Sequence, residues 1–165
     1  MLSRRSVTSL IMAIAFVGVA STNAVAATAT ATISVTATVI ATCNVTGGTL
    51  AFGSYDVLSA TPKDASLAIT ASCAKGTTAT IGLDLGLHAS GAIRRMADST
   101  DQHMTYELYS DAGRTTVWGN SGTDLVTYTA TTYAPNNFTV YGRIPALQNI
   151  ATNTYSDSIT VTVTF

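Results

Sequence analysis

Residues 28–42 read TATATISVTATVIAT. Apolar side chains occupy Ala29, Ala31, Ile33, Val35, Ala37, Val39 and Ala41, and Cys43 extends the row. Thr or Ser fills the even positions through Thr38, and Ile40 is the single break. A period of 2 sustained over this length is the pattern of a β-strand with one face buried. The stretch holds no charge, no Gly and no Pro, so nothing in it interrupts a strand. Its odd face needs an apolar surface to cover it, and the rest of the chain must say which one.

A second row of this kind lies at the other end. Residues 158–165 read SITVTVTF, with Ile159, Val161, Val163 and Phe165 on one face. Between the two, short alternating runs alternate with turn signals. Gly47-Gly48 precedes residues 50–55 (LAFGSY), where Leu50 and Phe52 share a face. A loop around Pro62 follows; then Leu67, Ile69, Ala71 and Cys73 alternate, as do Ile81, Leu83, Leu85 and Leu87. Residues 94–102 are charged and read as a long polar connection. Tyr106 and Leu108 face one way in a further strand, residues 117–119 form a short one, and residues 126–132 a Thr/Tyr-rich one. Phe138, Val140 and Ile144 share a face before a loop over residues 145–154. Short strands at this spacing predict an antiparallel sandwich or barrel. No segment has the period of a helix of useful length.

Ahead of these runs, Arg4 and Arg5 precede the apolar residues 10–19 (LIMAIAFVGV), and Asn23-Ala24-Val25-Ala26 places small residues for cleavage after Ala26, with Ala27 as the neighbouring choice. Residues 1–26 are therefore read as a signal peptide; an uncleaved anchor is the alternative. About 139 residues remain, enough for one domain with its own core. Losing two of the eight basic residues leaves six against nine acidic ones, and no basic run exists, so nothing favours a nucleic-acid partner. Only 10% of residues are charged. An exported chain with two cysteines, Cys43 and Cys73, is expected to form one disulfide, worth about 3–4 kcal/mol in the chain-entropy picture. Two Cys and two distant His match no zinc spacing, so no metal is expected.

Chemistry is thinly represented. Gly119-Asn120-Ser121-Gly122 resembles the nucleophile loop of chymotrypsin-like proteases, and His88 or His103, Asp111 and Ser121 follow that chain order. The chain is too short for two barrels, and a Gly/Asn/Ser turn accounts for the motif. Arg94-Arg95 read as a solvated loop pair rather than an anion site, and Trp118 as a packing residue rather than a sugar platform. Asn44-Val45-Thr46 and Asn137-Phe138-Thr139 fit the glycosylation sequon, which Thr-rich sequence produces by chance. No catalytic residue and no cofactor is assigned.

Cys43, residues 50–55, Cys73, Arg95-Met96, residues 108–111 (LYSD), Trp118-Gly119, residues 139–145 (TVYGRIP), Gln148 and Tyr155-Ser156-Asp157 together resemble the spore coat protein U domain family, which includes subunits of archaic chaperone–usher pili of Gram-negative bacteria. The resemblance covers nearly all of the mature chain, and residues 139–148 carry its most specific part. It implies an incomplete immunoglobulin-like antiparallel sandwich that lacks its final strand. A periplasmic chaperone would first lend a strand; at an outer-membrane usher the N-terminal segment of another copy, or of a related pilin, would replace it. On this reading residues 27–36 are the donor segment, with Ala29, Ala31, Ile33 and Val35 facing the groove. Residues 37–165 are the pilin domain, with residues 37–43 as its first strand. Ile159, Val161, Val163 and Phe165 are the acceptor row, and no strand follows to cover it. A tip adhesin, for which Leu147 and Ile150 are mild surface candidates, and a spore- or cyst-coat protein are the alternative roles.

Overall fold

The computed structural model describes residues 25–165. The reading of residues 1–26 as a signal peptide falls almost entirely outside them. Residues 25–37 belong to a different unit from Thr38–Phe165, which carries all eight strands among the described residues. These are β1 (Cys43–Thr46), β2 (Lys63–Cys73), β3 (Thr78–Leu83), β4 (Arg94–Ala97), β5 (His103–Tyr109), β6 (Val126–Thr129), β7 (Asn136–Ile144) and β8 (Val161–Thr164). The fold is all-β: a five-stranded sheet in the order β1-β2-β7-β5-β4 and a three-stranded sheet in the order β6-β3-β8, with every pairing antiparallel. A single 3-10 turn, Gly122–Asp124, is the helical element among the described residues.

Alternation builds the core directly. In β2 and β7 the register sets Leu67 opposite Val140 and Ile69 opposite Phe138, so one face of the large sheet is apolar. In β3 and β8, Ile81 faces Val163 and Leu83 faces Val161. Tyr106 and Leu108 of β5 close the same core, with Trp118 at 1% exposure beside them. The Trp118 indole N–H donates to Ile81 O at 2.9 Å, which satisfies its one polar atom and makes it a packing residue. Residues 50–55 form no ladder, yet Leu50 and Phe52 pack on Gly142 of β7; a Cβ there would lie 2.7 Å from Phe52 Cζ. Glycine is required at that point of β7 because a side chain from a loop occupies the space above it.

Four expectations are corrected. Residues 28–42 carry no strand, and the first strand begins only at Cys43, not at Ala37. A strand needs a neighbour for its N–H and C=O groups, and in this stretch the backbone hydrogen bond to the rest of the fold is at its last residue, where Thr42 O accepts from Ala74 N–H at 2.9 Å. The polar connection over residues 94–102 contains β4, and Arg94 is not solvated but fully buried, at 0% exposure. Its guanidinium is satisfied in place: Nε donates to Asp84 O at 2.9 Å, Nη2 to Leu83 O, Asp84 O and Trp118 O at 2.9, 2.8 and 2.8 Å, and Nη1 pairs with Glu107. Residues 117–119 are not a strand; Val117 makes one isolated bridge to Tyr109. The terminal strand spans four residues, so Ile159 precedes it and Phe165 lies just beyond it.

Candidate functional site

The four-residue β8 pairs with β3 on one side and, among the described residues, has no ladder on the other. Asp84 N–H donates to Thr160 O at 3.1 Å, so the even-numbered residues of this segment turn their backbone groups toward β3. By the alternation of an antiparallel pair, Val161 and Val163 aim their N–H and C=O groups at the open edge. Their side chains, with Ile159, are half-buried and face the core. Phe165, at 56% exposure, is the least covered of the row.

Beside this edge the core is not closed. A cleft of about 510 Å³ runs between the sheets, lined by Ile69, Leu108 and Val140 of the large sheet, Leu83 and Val161 of the small one, and Leu50. An unpaired backbone edge bordering an apolar trough is a hazard in isolation and a receptor for an extended peptide when one is supplied.

At the far end of β8 the disulfide expected from the sequence is present: Cys43 and Cys73 are bonded, and they are opposite one another in the β1–β2 register. Val163 packs against the small cluster of Cys73, Ala79 and Ala130, so the bond sits next to β8. The near end is polar. Asp157 Oδ2 accepts from the Tyr106 hydroxyl at 2.7 Å and Oδ1 from Leu87 N–H at 2.9 Å. Burial, with the Asp157 carboxylate second, pushes the Tyr106 hydroxyl far above its ordinary pKa, so it remains a donor. Asp84 Oδ1 accepts from the N–H groups of Thr160 and Gly86 at 2.9 and 3.0 Å. Burial pushes the Asp84 pKa upward, and these hydrogen bonds together with Arg94 outweigh it, leaving the carboxyl below its usual range.

Ala29, Ala31, Ile33 and Val35 are exposed and in no strand, with Ile33 at 84% and Val35 at 88% exposure. The protease-like motif does not assemble. Asp111 accepts from the N–H groups of Thr115 and Thr116 at 2.9 and 2.7 Å, and His103 lies 3.3 Å from Asp101. Ser121 starts the 3-10 turn with no hydrogen bond to either histidine among the described residues. The rings of His88 and His103 stand 6.2 Å apart, and among the described residues no three metal-binding side chains converge. Sequence reasoning missed Asp84, Tyr106, Asp157 and Arg94 as a group, since they come from four separated segments and no local spacing links them.

The arrangement defines a class: a two-sheet antiparallel β-sandwich whose edge strand β8 is unpaired on one side among the described residues and borders an apolar cleft. The chain belongs to the spore coat protein U domain family, whose pattern matches residues 29–162. It is 41% identical over 165 aligned residues to Protein U of Myxococcus xanthus, covering 89% of this chain and 90% of that one. Among solved structures it resembles a chain of the CsuC–CsuE chaperone–tip adhesion subunit pre-assembly complex from the archaic chaperone–usher Csu pili of Acinetobacter baumannii. The TM-score is 0.59 and the identity 23%, over 78% of this chain and 41% of that one. The likeness is therefore one of fold, and the chain spans about two-fifths of that solved chain's length.

Proposed function

We propose that this protein is a structural pilin subunit, exported to the periplasm and polymerised by donor-strand complementation into a cell-surface fibre that serves adhesion and biofilm formation. The observation that carries the reading is the unpaired edge of β8, with Val161 and Val163 half-buried beside the open cleft. In this scheme a periplasmic chaperone pairs with that edge first, with Ile159, Val161, Val163 and Phe165 as the row it covers. At an outer-membrane usher, residues 28–36 of the next subunit take its place, with Ala29, Ala31, Ile33 and Val35 turned into the cleft. Nine residues in extended form reach about 30 Å. Moving Ile33 and Val35 from near-full exposure into an apolar trough is worth about 1.5–3 kcal/mol each before ordering costs, and the alanines add less. No cofactor takes part.

The test is Ile33→Asp together with Val35→Asp. Two carboxylates on the donor face cannot be buried unpaired, so polymers should vanish while chaperone capture through β8 persists. Normal polymer yield from this variant refutes the proposal. The relationship to Protein U supports a second reading, a coat protein in which the same domain packs side by side. Electron microscopy of sheared cell surfaces separates the two: thin fibres favour the pilin, and a continuous layer favours the coat.

A further inference from the structure

The cleft beside β8 is apolar along most of its length and polar where the chain enters the strand. The Asp157 carboxylate lines that end, and the Asp84 carboxylate holds the Thr160 N–H next to it in the chain. Asp157 takes the Tyr106 hydroxyl and Leu87 N–H, and Asp84 takes Thr160 N–H and Gly86 N–H. Gly86 has φ of 83°, and a Cβ on it would lie 2.0 Å from Asp157 Oδ2, so glycine alone leaves room for that carboxylate. The loop that presents Gly86 and Leu87 is fixed at its root by Arg94, which holds the carbonyls of Leu83 and Asp84. Tyr106 belongs to the other sheet. The residues just ahead of β8 are thus tied to β3 through Asp84 and to β5 through Asp157.

A four-residue strand with one neighbour is a poor cooperative unit, and its end would fray if the ladder were all that held it. Placing the Asp157 carboxylate in the wall of an apolar cleft, with a second half-buried carboxylate at Asp84, also carries a desolvation cost that packing alone would not require. We infer that Asp84 and Asp157 are positioning residues for strand addition: they hold the acceptor edge formed and in register before a partner strand arrives. The inference rests on the donor-strand reading. Its consequence is kinetic. A frayed edge is competent for only a fraction of the time, so losing the latch slows docking by that fraction while the docked state, once ordered, dissociates as before.

The experiment uses the full mature chain carrying Ile33→Asp and Val35→Asp, so that it cannot donate to itself, and a fluorescent peptide of residues 28–36. Association and dissociation rates are measured for this parent, for Asp157→Ala and Tyr106→Phe in the same background, and for Asp64→Ala as a control that removes a carboxylate on the outer face of the large sheet. The latch predicts an association rate about tenfold lower in Asp157→Ala, a smaller drop in Tyr106→Phe, and dissociation within about twofold of the parent. An unchanged association rate in both, or an equal fall in Asp64→Ala, overturns the inference. A parent that binds no peptide overturns the donor-strand reading instead. Amide exchange at Thr162 and Thr164, whose N–H groups point toward β3, then decides the latch by itself: exchange about tenfold faster in Tyr106→Phe supports it, and unchanged protection sinks it.

Discussion

Replacing Arg94 with Met tests the centre of the molecule. The guanidinium is wholly buried, donates to three backbone carbonyls on Leu83, Asp84 and Trp118, and pairs with the part-exposed Glu107. Met fills much of the volume and supplies no donor. Removing one member of a buried ion pair costs about 3–5 kcal/mol. Each carbonyl stranded without a partner adds about 1–3 kcal/mol, partly recovered if water enters beside Glu107. A loss of about 4 kcal/mol or more is expected, a large share of the stability of a domain this size. In a heat scan that corresponds to a fall of about 12–16 °C. The assay is urea unfolding of the oxidised chain in the Ile33→Asp, Val35→Asp background, followed by fluorescence of the buried Trp118, with the slope checked for constancy. Glu107→Gln keeps the carbonyls satisfied and an acceptor beside Nη1 but removes the counter-charge of the buried guanidinium, so it should cost about 1.5–3 kcal/mol, less than Arg94→Met. A loss below about 1 kcal/mol in Arg94→Met would show that the arginine is not what joins β3, β4 and the Trp118 segment.

Two further outcomes are expected. Cys43→Ser with Cys73→Ser should lower stability by about 3–4 kcal/mol, read as a lower urea midpoint that reducing agent reproduces in the parent protein and leaves unchanged in the variant. Acid should weaken the fold. The Arg143 side chain holds Asp64 below its ordinary value against the opposing effect of burial, with Arg114 assisting, and the N–H of Thr116 does the same for Asp111. Folded values depressed in this way contribute stability that is complete above the unfolded value near about 3.9 and disappears as pH falls through the lower folded values, so the urea midpoint should be level above about pH 5 and drop beneath about pH 4. Asp64→Asn should make that drop shallower.

The sandwich was legible wherever one strand face meets the core. The rows Leu67-Ile69-Ala71, Ile81-Leu83, Tyr106-Leu108 and Val161-Val163 all face inward in the folded chain, because period 2 reports burial directly. The same rule went astray at β4. Arg94 is as buried as any residue, yet an Arg-Arg pair looks like solvent-facing sequence, and only partners drawn from β3, β5 and the Trp118 segment make its burial possible. Residues 28–42 show the opposite case. Their alternation signals a face fit to be buried but not whose core would bury it, and in the single chain the face is exposed. The inward face of β8 could be found from its own periodicity, whereas the polar end of the cleft could not: Asp84, Tyr106 and Asp157 are brought together by the fold and by nothing in their local spacing.

The segment leading into β8 also touches the far edge of the large sheet, where Ser156 exchanges two hydrogen bonds with Ala97 of β4 at 2.9 and 3.0 Å. Ser156 is thus anchored to one sheet, and Val161–Thr164, a few residues on, to the other. Antiparallel ladder bonds lie across the strand axis, so tension applied along β8 loads them in shear and all at once rather than one after another. A pull on this strand therefore enters both layers of the sandwich together. The two sheets would resist it as a single body, and extension of an assembly joined through β8 would be limited by rupture of whole ladders instead of by peeling from one end.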